Sequence, residues 1–301
     1  MNRTPPADVR RTLRREVGFT CPVDSCGSPY LTYHHFAPPW ASQPHHDVNG
    51  MVALCLQHHK EADGGAFTVD QLRQLKTLTP GLPVRGRFSW QRERLLIIGG
   101  SNFFIGSPRI LQYETQDLIW FHQSQGGHGT LNMDLFSPGG ILVVSMRDND
   151  WVILPTVDDL ESPPSANRLI VRSKTHEISV DIEFREVSLD RVCARARDIF
   201  ESISSLPSET SMSWPEGLAR PSREDEVSRS VDRVRDHVRG RLGDGPITTC
   251  ELNLAIQFPV PLTLTPTKLE IRPGASRYLF SGCLMGSATV VHLQAPAQQD
   301  A

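Results

Sequence analysis

The sequence predicts an α+β protein with a small N-terminal domain and a larger β-rich domain that contains two or three helices. Three observations lead to this prediction. Residues 21–63 are dense in cysteine and histidine at short spacings. From residue 94 onward, short apolar runs recur roughly every ten residues between turn-forming residues, which is typical of β-strands. Two later segments, near 189–203 and 224–242, carry apolar residues at helical spacing instead.

The first 17 residues predict an arginine-rich helix. Leu13 and Val17 are four residues apart, so they share a helix face that we expect to pack against the domain that follows. The first 19 residues contain five arginines and two acidic residues, a local excess of +3. Such arginines can contact phosphate groups, and the alternative is a solvated helix face. The candidate phosphate contacts are Arg10, Arg11, Arg14 and Arg15.

Four side chains in the next segment have the spacing of a structural zinc site. Cys21 and Cys26 form a C-x4-C pair, and Cys55 and His58 form a C-x2-H pair. Three thiolates and one imidazole suit a closed tetrahedral zinc site, which would hold the small domain together.

A second group of potential ligands remains after these four. Residues 30–36 alternate as a strand, and a helix that begins near Leu56 puts His59 and Asp63 on one face at i and i+4. With His34 from the strand, they can hold a second ion, such as Mg, Mn, Ni or Zn. His35 follows His34 on the strand, so its ring points to the other side, where we expect it exposed and free to move protons.

Together these residues resemble the HNH endonuclease family, the ββα-metal nucleases, in its zinc-stapled form. The resemblance covers residues 7–77 of the 301. The family motif has two cysteines, a His-His pair followed by a hydrophobe and a proline, and a hydrophobic strand that ends in Leu-Cys-x-x-Cys-His-x3-His. The matching residues of this chain are Cys21, Cys26, His34-His35-Phe36-Ala37-Pro38, Leu54-Cys55-Leu56-Gln57-His58-His59 and Asp63.

The chain departs from the family motif at three positions. His58 stands where a fourth cysteine is usual, and Asp63 stands where a last histidine is common. The central asparagine of the family is expected five residues before Cys55, where this chain has Gly50. Asn49 is one position away, and it is the candidate for the family role of bracing the loop or ligating the ion.

The resemblance implies an endonuclease that hydrolyses phosphodiester bonds in DNA, with RNA left open as a substrate. His35 would then be the general base, and His34, His59 and Asp63 would hold Mg²⁺ or Mn²⁺ beside the structural Zn²⁺. Small nuclease domains joined to a sensor-like domain resemble bacterial antiviral or restriction effectors. A defence role and a protein partner that supplies target recognition are therefore further expectations.

The alternative function is a non-catalytic zinc module that binds nucleic acid or protein. It explains the four zinc ligands but gives no reason for His34, His35, His59 and Asp63 to be present together. His45 and His46, in the long loop of residues 37–50, can brace that loop or ligate a metal, and bracing is favoured because no regular element fixes their spacing to His59.

The nuclease-like domain is expected to span residues 1–80. Thr68-Val69-Asp70-Gln71 has the pattern of a capping box and predicts a further helix. Thr79-Pro80-Gly81-Leu82-Pro83 then breaks the helical pattern and marks the domain boundary.

Residues 86–301 are expected to form the β-rich domain, as a sandwich, barrel or solenoid. Its helix near 224–242 has a narrow stripe of valines, which can be a partner or oligomer surface or can pack on the β-sheet of its own domain. The alternatives for the role of this domain are specificity, sensing and partner binding.

Composition limits the remaining possibilities. A formal net charge of −3 and a pI near 6.4 oppose binding of nucleic acid by bulk charge, so contacts must come from local patches. Of the six cysteines, Cys193, Cys250 and Cys283 lie outside the zinc motif and are expected to be buried thiols. The chain has neither a signal-peptide pattern nor an apolar run of about 18 residues, so a cytoplasmic protein without a membrane partner is expected.

Overall fold

The computed structural model describes residues 2–77, 81–90, 93–99, 102–123, 128–173, 178–204, 224–257, 259, 262–265, 268–271 and 289–293. They form a mixed, mostly β structure, which confirms the predicted α+β class. The chain divides into two compact units, residues 1–89 with 150–175 and residues 90–149 with 176–301. The predicted break at Thr79-Pro80, the loop near 207–223 and the thiol of Cys283 lie outside the described residues.

The first unit contains the elements predicted for residues 1–80 together with four further strands. Its helices are α1 (Ala7–Glu16), α2 (Leu56–Asp63) and α3 (Val69–Leu75), and a 3₁₀ turn covers Val48–Gly50. Its strands are β1 (Leu31–His35), β2 (Met51–Cys55), β3 (Val84–Arg87), β10 (Asp150–Ile153), β11 (Asp159–Glu161) and β12 (Arg168–Arg172). The strands pair antiparallel as β1 with β2, β3 with β10 and β11 with β12.

The β1–β2 hairpin forms the centre of this unit. His34 lies opposite Val52 and His35 opposite Met51, and every residue of β2 is buried. The apolar face of α1 packs on the hairpin through Leu13 and Val17, both fully buried, as the helical spacing predicts. Because α2 begins directly after β2, it returns across the hairpin and brings its histidines to β1.

The capping box predicted for the third helix is present. Thr68 Oγ1 accepts from the backbone N–H of Gln71 at 3.2 Å, and the Gln71 side chain accepts from the N–H of Thr68 at 2.8 Å. Each bond satisfies a backbone donor that the first helical turn leaves without a partner.

The arginine-rich face of α1 meets three acidic residues at 158–161 of the same unit. Arg14 donates to both carboxylate oxygens of Asp159, at 2.7 and 2.8 Å, and to the Tyr33 hydroxyl of β1 at 2.7 Å. The side chains of Arg14 and Asp159 are 3% and 1% exposed. The pairs around this buried one are Arg10–Glu161, Arg11–Asp159, Arg14–Glu161 and Arg15–Asp158.

Replacing Asp159 with asparagine is expected to lower the free energy of unfolding of this unit by about 3 kcal/mol, because the Arg14 charge stays buried without its main counter-charge. Glu161 still faces Arg14 at 3.0 Å, which keeps the loss at the lower end of the range for a broken buried pair. Denaturant unfolding measures the change. The control is Asp158→Asn, whose partner Arg15 is 45% exposed, so a loss of about 0–1 kcal/mol is expected there. Equal losses for the two variants would contradict the prediction.

The second unit contains two sheets and two long helices. Its first sheet has the order β17 (Thr289–Leu293), β6 (Arg109–Tyr113), β7 (Gln116–Gln123), β8 (Gly129–Phe136) and β9 (Leu142–Arg147). Its second sheet contains β13 (Ile178–Val187), β14 (Ile247–Ile256), β15 (Leu262–Thr265) and β16 (Lys268–Ile271), with β4 (Leu95–Gly99) parallel to β14 and β5 (Asn102–Phe104) beside β4. The helices are α4 (Leu189–Ser204) and α5 (Glu224–Leu242).

The valine stripe of α5 is buried within its own unit. Its four valines are at most 4% exposed and join one apolar cluster with α4, β4 and β5. The stripe therefore does not form a free partner surface, and of the two interpretations of this helix, packing on its own domain is the one observed. The valines are Val227, Val231, Val234 and Val238.

Within the described ranges, no helix has both the length and the apolar character that a membrane-spanning helix needs.

Candidate metal sites

The predicted cysteine–histidine set comes together as one cluster at the base of the hairpin. Cys21 and Cys26 lie on a tight turn before β1, where Cys21 N–H donates to Ser28 O at 2.8 Å. Cys55 ends β2, and His58 lies in the first turn of α2. The four ligand atoms all lie within 4.8 Å of one another.

The distances within this cluster fit a tetrahedral zinc site. Zn–S bonds of about 2.3 Å and Zn–N bonds of about 2.0–2.1 Å separate two sulfur ligands by about 3.8 Å, and sulfur from nitrogen by about 3.6 Å. Here Cys26 Sγ is 3.8 Å from Cys55 Sγ, and His58 Nδ1 is 3.3 Å from both Cys21 Sγ and Cys55 Sγ.

The three cysteines of the cluster are free thiols, which bind a metal ion as thiolates once they lose their protons. Burial raises the pKa of Cys21 to about 12, so this thiol stays protonated at neutral pH unless a cation draws off its proton. The free thiols of Cys21, Cys26 and Cys55 are packed together without a disulfide. The cluster can therefore bind a metal ion such as zinc.

His34, His59 and Asp63 form the second predicted cluster, between β1 and α2. Asp63 Oδ1 lies 3.2 Å from His34 Nδ1 and 3.8 Å from His59 Nε2, and the two rings meet edge to face with centroids 5.2 Å apart. Burial lowers the pKa of both histidines, while the charge of Asp63 acts in the opposite direction. Both rings are thus favoured in the neutral, ligating form.

One atom in this cluster supports a cation at its centre. His34 Nδ1 is buried and has no hydrogen-bond partner among the described residues, although a carboxylate oxygen lies 3.2 Å away. Such a nitrogen is costly to bury unless a proton or an ion completes its coordination. Two imidazoles and one carboxylate that is 41% exposed suit a divalent ion with positions left open for water or substrate.

His35 lies apart from this cluster, as its position on the strand predicts. Its ring packs against Trp40, His45 and His46, with centroids 4.7, 5.2 and 5.9 Å away. Burial, together with the electrostatic influence of the two neighbouring imidazoles, lowers the pKa of His35 to about 4, so the ring is neutral at pH 7. Neither ring nitrogen has a hydrogen-bond partner in the described part of the chain. The expectation of an exposed histidine is wrong, because the loop after β1 covers the ring and leaves the residue only 4% exposed.

A pocket of about 290 Å³ connects the second cluster with His35. Its lining includes His34, His35 and Asp63 together with Trp40 and Arg3. Arg3 is one of the five arginines in the first 19 residues, and no periodicity of the sequence marks it as a site residue. It has no ion pair with any described residue, so its charge is available at the pocket.

The loop of residues 37–50 determines the contacts of His45 and the space available at position 50. His45 Nε2 donates to Pro38 O at 2.8 Å, and His45 Nδ1 accepts from Asp47 N–H at 3.1 Å, so both nitrogens brace the loop, which is the interpretation favoured from the sequence. A side chain at position 50 has no room, because a Cβ there would lie 2.0 Å from Ala37 O. The asparagine of the family motif therefore cannot occupy that position in this loop.

Asn49 lies in the turn that Asp47 begins. Asp47 Oδ1 accepts from the Asn49 backbone N–H at 3.0 Å and from its side-chain amide at 3.3 Å. Asn49 is exposed, and its catalytic role stays a prediction. The structure brings together the cysteine–histidine set and the set of His34, His59 and Asp63, whereas Asn49 is not among the residues that line the pocket at the second set.

The chain was compared with protein-family models, with curated proteins and with solved structures. None of the three comparisons finds a match.

The predicted phosphate contacts of α1 are already paired with acids. Arg14 is buried with Asp159, whereas the side chains of Arg11 and Arg15 remain 41% and 45% exposed. Contact with nucleic acid stays a prediction for these arginines, and the partial exposure of Arg11 and Arg15 makes them more accessible to phosphate than Arg14.

Proposed function

We propose that this protein is a metal-dependent endonuclease that hydrolyses phosphodiester bonds in DNA. The observation that carries the proposal is a pocket lined by His34 and Asp63, two of the three residues of the second ligand set, and by the separate neutral histidine His35. A structural metal alone needs the cysteine–histidine cluster only. The additional group of two histidines, a carboxylate and a third, unpaired histidine has the composition of a hydrolytic centre.

In this proposal, His34, His59 and Asp63 hold a Mg²⁺ or Mn²⁺ ion. When bound, such an ion acts as a Lewis acid that stabilises the negative charge on the phosphate and on the departing oxygen. His34 and His59 come from different elements, β1 and α2, so the packing of α2 on the hairpin fixes the distance between them. The cysteine–histidine cluster holds that packing in place, because Cys55 and His58 lie where β2 passes into α2.

His35 is the proposed general base. Its neutral ring accepts a proton from a water molecule whose oxygen forms the new bond to phosphorus, and the bond from phosphorus to the 3′ oxygen breaks. The leaving oxygen takes a proton from solvent, so the products are a 5′-phosphate and a 3′-hydroxyl. Arg3, at the same pocket, offers a positive charge to the phosphate.

The proposal is tested by incubating zinc-loaded full-length protein with supercoiled plasmid DNA and either Mg²⁺ or Mn²⁺. Nicking that stops when the divalent ion is omitted is the expected result. Single-stranded DNA and RNA are assayed beside the plasmid to identify the substrate class. His122→Ala serves as a control, because His122 is an exposed histidine of the second unit and its loss should leave cleavage unchanged. If the protein cuts none of these substrates with either ion, a non-catalytic zinc module explains the chain better.

A further inference from the structure

Thr32 connects the hairpin to the second cluster through one hydroxyl group. It lies on β1 two residues before His34, so the two side chains share a face of the strand. Thr32 Oγ1 lies 3.0 Å from the carbonyl oxygen of Leu54 on β2 and 2.7 Å from His59 Nδ1 on α2. The strands β1 and β2 and the helix α2 thus meet at this oxygen.

The number of protons at this contact decides the direction of each hydrogen bond. The Leu54 carbonyl carries no proton, so the single hydroxyl proton of Thr32 must lie on that side for the two oxygens to approach at 3.0 Å. The hydroxyl then has only lone pairs left for His59. His59 Nδ1 must donate, and the neutral ring keeps its own lone pair on Nε2.

His59 Nε2 is the ring atom that faces the cluster. It lies 3.8 Å from Asp63 Oδ1, and because both atoms are then acceptors, a shared cation can satisfy them at this separation. Without the Thr32 hydroxyl, the ring proton is free to occupy either nitrogen, and one of the two forms places N–H where the ligand lone pair is needed.

We infer that Thr32 is a positioning residue that fixes the ring and the tautomer of His59, so that Nε2 is presented to a divalent cation shared with His34 and Asp63. This inference rests on the proposed function for the role of the cation, while the hydrogen-bond chain itself belongs to the protein. Leu54 is followed directly by Cys55, so the carbonyl that orients Thr32 adjoins a ligand of the zinc cluster. The first cluster thereby also supports the geometry of the second.

The test compares Thr32→Val with Thr32→Ser in the zinc-loaded full-length protein. Valine keeps the branched shape and the strand preference but removes the hydroxyl, whereas serine keeps the hydroxyl. Titration calorimetry with Mn²⁺ is expected to show affinity about 10- to 100-fold weaker in Thr32→Val and close to wild type in Thr32→Ser. Zinc content and the unfolding midpoint are measured on the same samples, and unchanged values exclude a general loss of structure.

A second readout follows the tautomer without using metal or activity. Nitrogen-15 chemical shifts of the His59 ring, assigned with a His59→Gln variant, are expected to show the proton on Nδ1 in the wild type and in Thr32→Ser. In Thr32→Val that proton should redistribute between the two nitrogens. Wild-type Mn²⁺ affinity or an unchanged tautomer in Thr32→Val would overturn the inference, as would a wild type that binds no Mn²⁺. If the tautomer and the affinity both change while no protein cuts nucleic acid, the proposed hydrolase fails but the role of Thr32 holds.

Discussion

Replacing Cys55 with serine is expected to unfold the first unit and to release one zinc ion per chain. Cys55 ends β2, directly precedes α2 and supplies one of four ligands in a cluster whose atoms lie within 4.8 Å of one another. Structural zinc contributes on the order of 10 kcal/mol to the folding of small modules, which is comparable to the net stability of a whole domain. Loss of one ligand should therefore remove the hairpin, the α2 helix and both clusters together.

Zinc analysis after dialysis and far-ultraviolet circular dichroism measure this effect. The second unit is expected to keep its β-type signal and its own cooperative unfolding, because its core contains none of the four ligands. Cys193→Ser is the matched control, since Cys193 is also a buried thiol but lies in the core of the second unit. That variant should keep its zinc and lose only modest stability. A Cys55→Ser protein that retains one zinc ion and a natively folded first unit would contradict the assignment of the cysteine–histidine cluster as a structural zinc site.

The parts of this fold that follow local rules could be predicted from the sequence. The alternation of β1 separates His34 from His35, and the 3.6-residue period of α2 aligns His59 with Asp63. The capping box at Thr68 depends on four consecutive residues. Each of these features is decided by side chains a few positions apart, so the sequence contains the whole of the physical cause.

The partners of the arginine-rich helix could not be predicted in this way. Arg14 and Asp159 are 145 positions apart, and neither periodicity nor spacing marks them as a pair. Residues 150–175 belong to the first unit for the same reason, because long-range packing rather than local pattern brings them there. A fragment cut at residue 86 would therefore leave the buried carboxylate of Asp159 without Arg14.

The site itself shows the same division between local and distant causes. Side chains alternate along β1, so the sequence is enough to place Thr32 on the same face of the strand as His34. The hydrogen bond between Thr32 and His59 depends instead on how α2 packs on the hairpin. Gly50 is required because Ala37 O approaches it, a contact that only the folded loop reveals. Arg3 reaches the pocket from a segment before α1 that has no regular structure.

His35→Ala and His35→Gln are both expected to lower the rate of DNA cleavage by ~10²- to 10⁴-fold while the zinc content stays at one ion per chain, because each removes the proposed general base. The buried ring of His35 packs against Trp40, so alanine should also leave a void and cost some stability, whereas glutamine fills more of the space. Equal rate losses in the two variants, with unequal unfolding midpoints, would separate the chemical role of the ring from its packing.

His34→Ala and His59→Ala are expected to abolish cleavage by a different route, the loss of ligands for the divalent ion. Raising the Mn²⁺ concentration should then restore part of their activity and none of the activity of the His35 variants, because a missing base is not replaced by more metal. Cleavage at wild-type rates in His35→Gln would contradict the assignment of the base and transfer it to a neighbour. His46 would be that neighbour, since both nitrogens of His45 are committed to Pro38 and Asp47, whereas His46 Nδ1 has no hydrogen-bond partner in the described chain and its ring centroid lies 5.9 Å from that of His35.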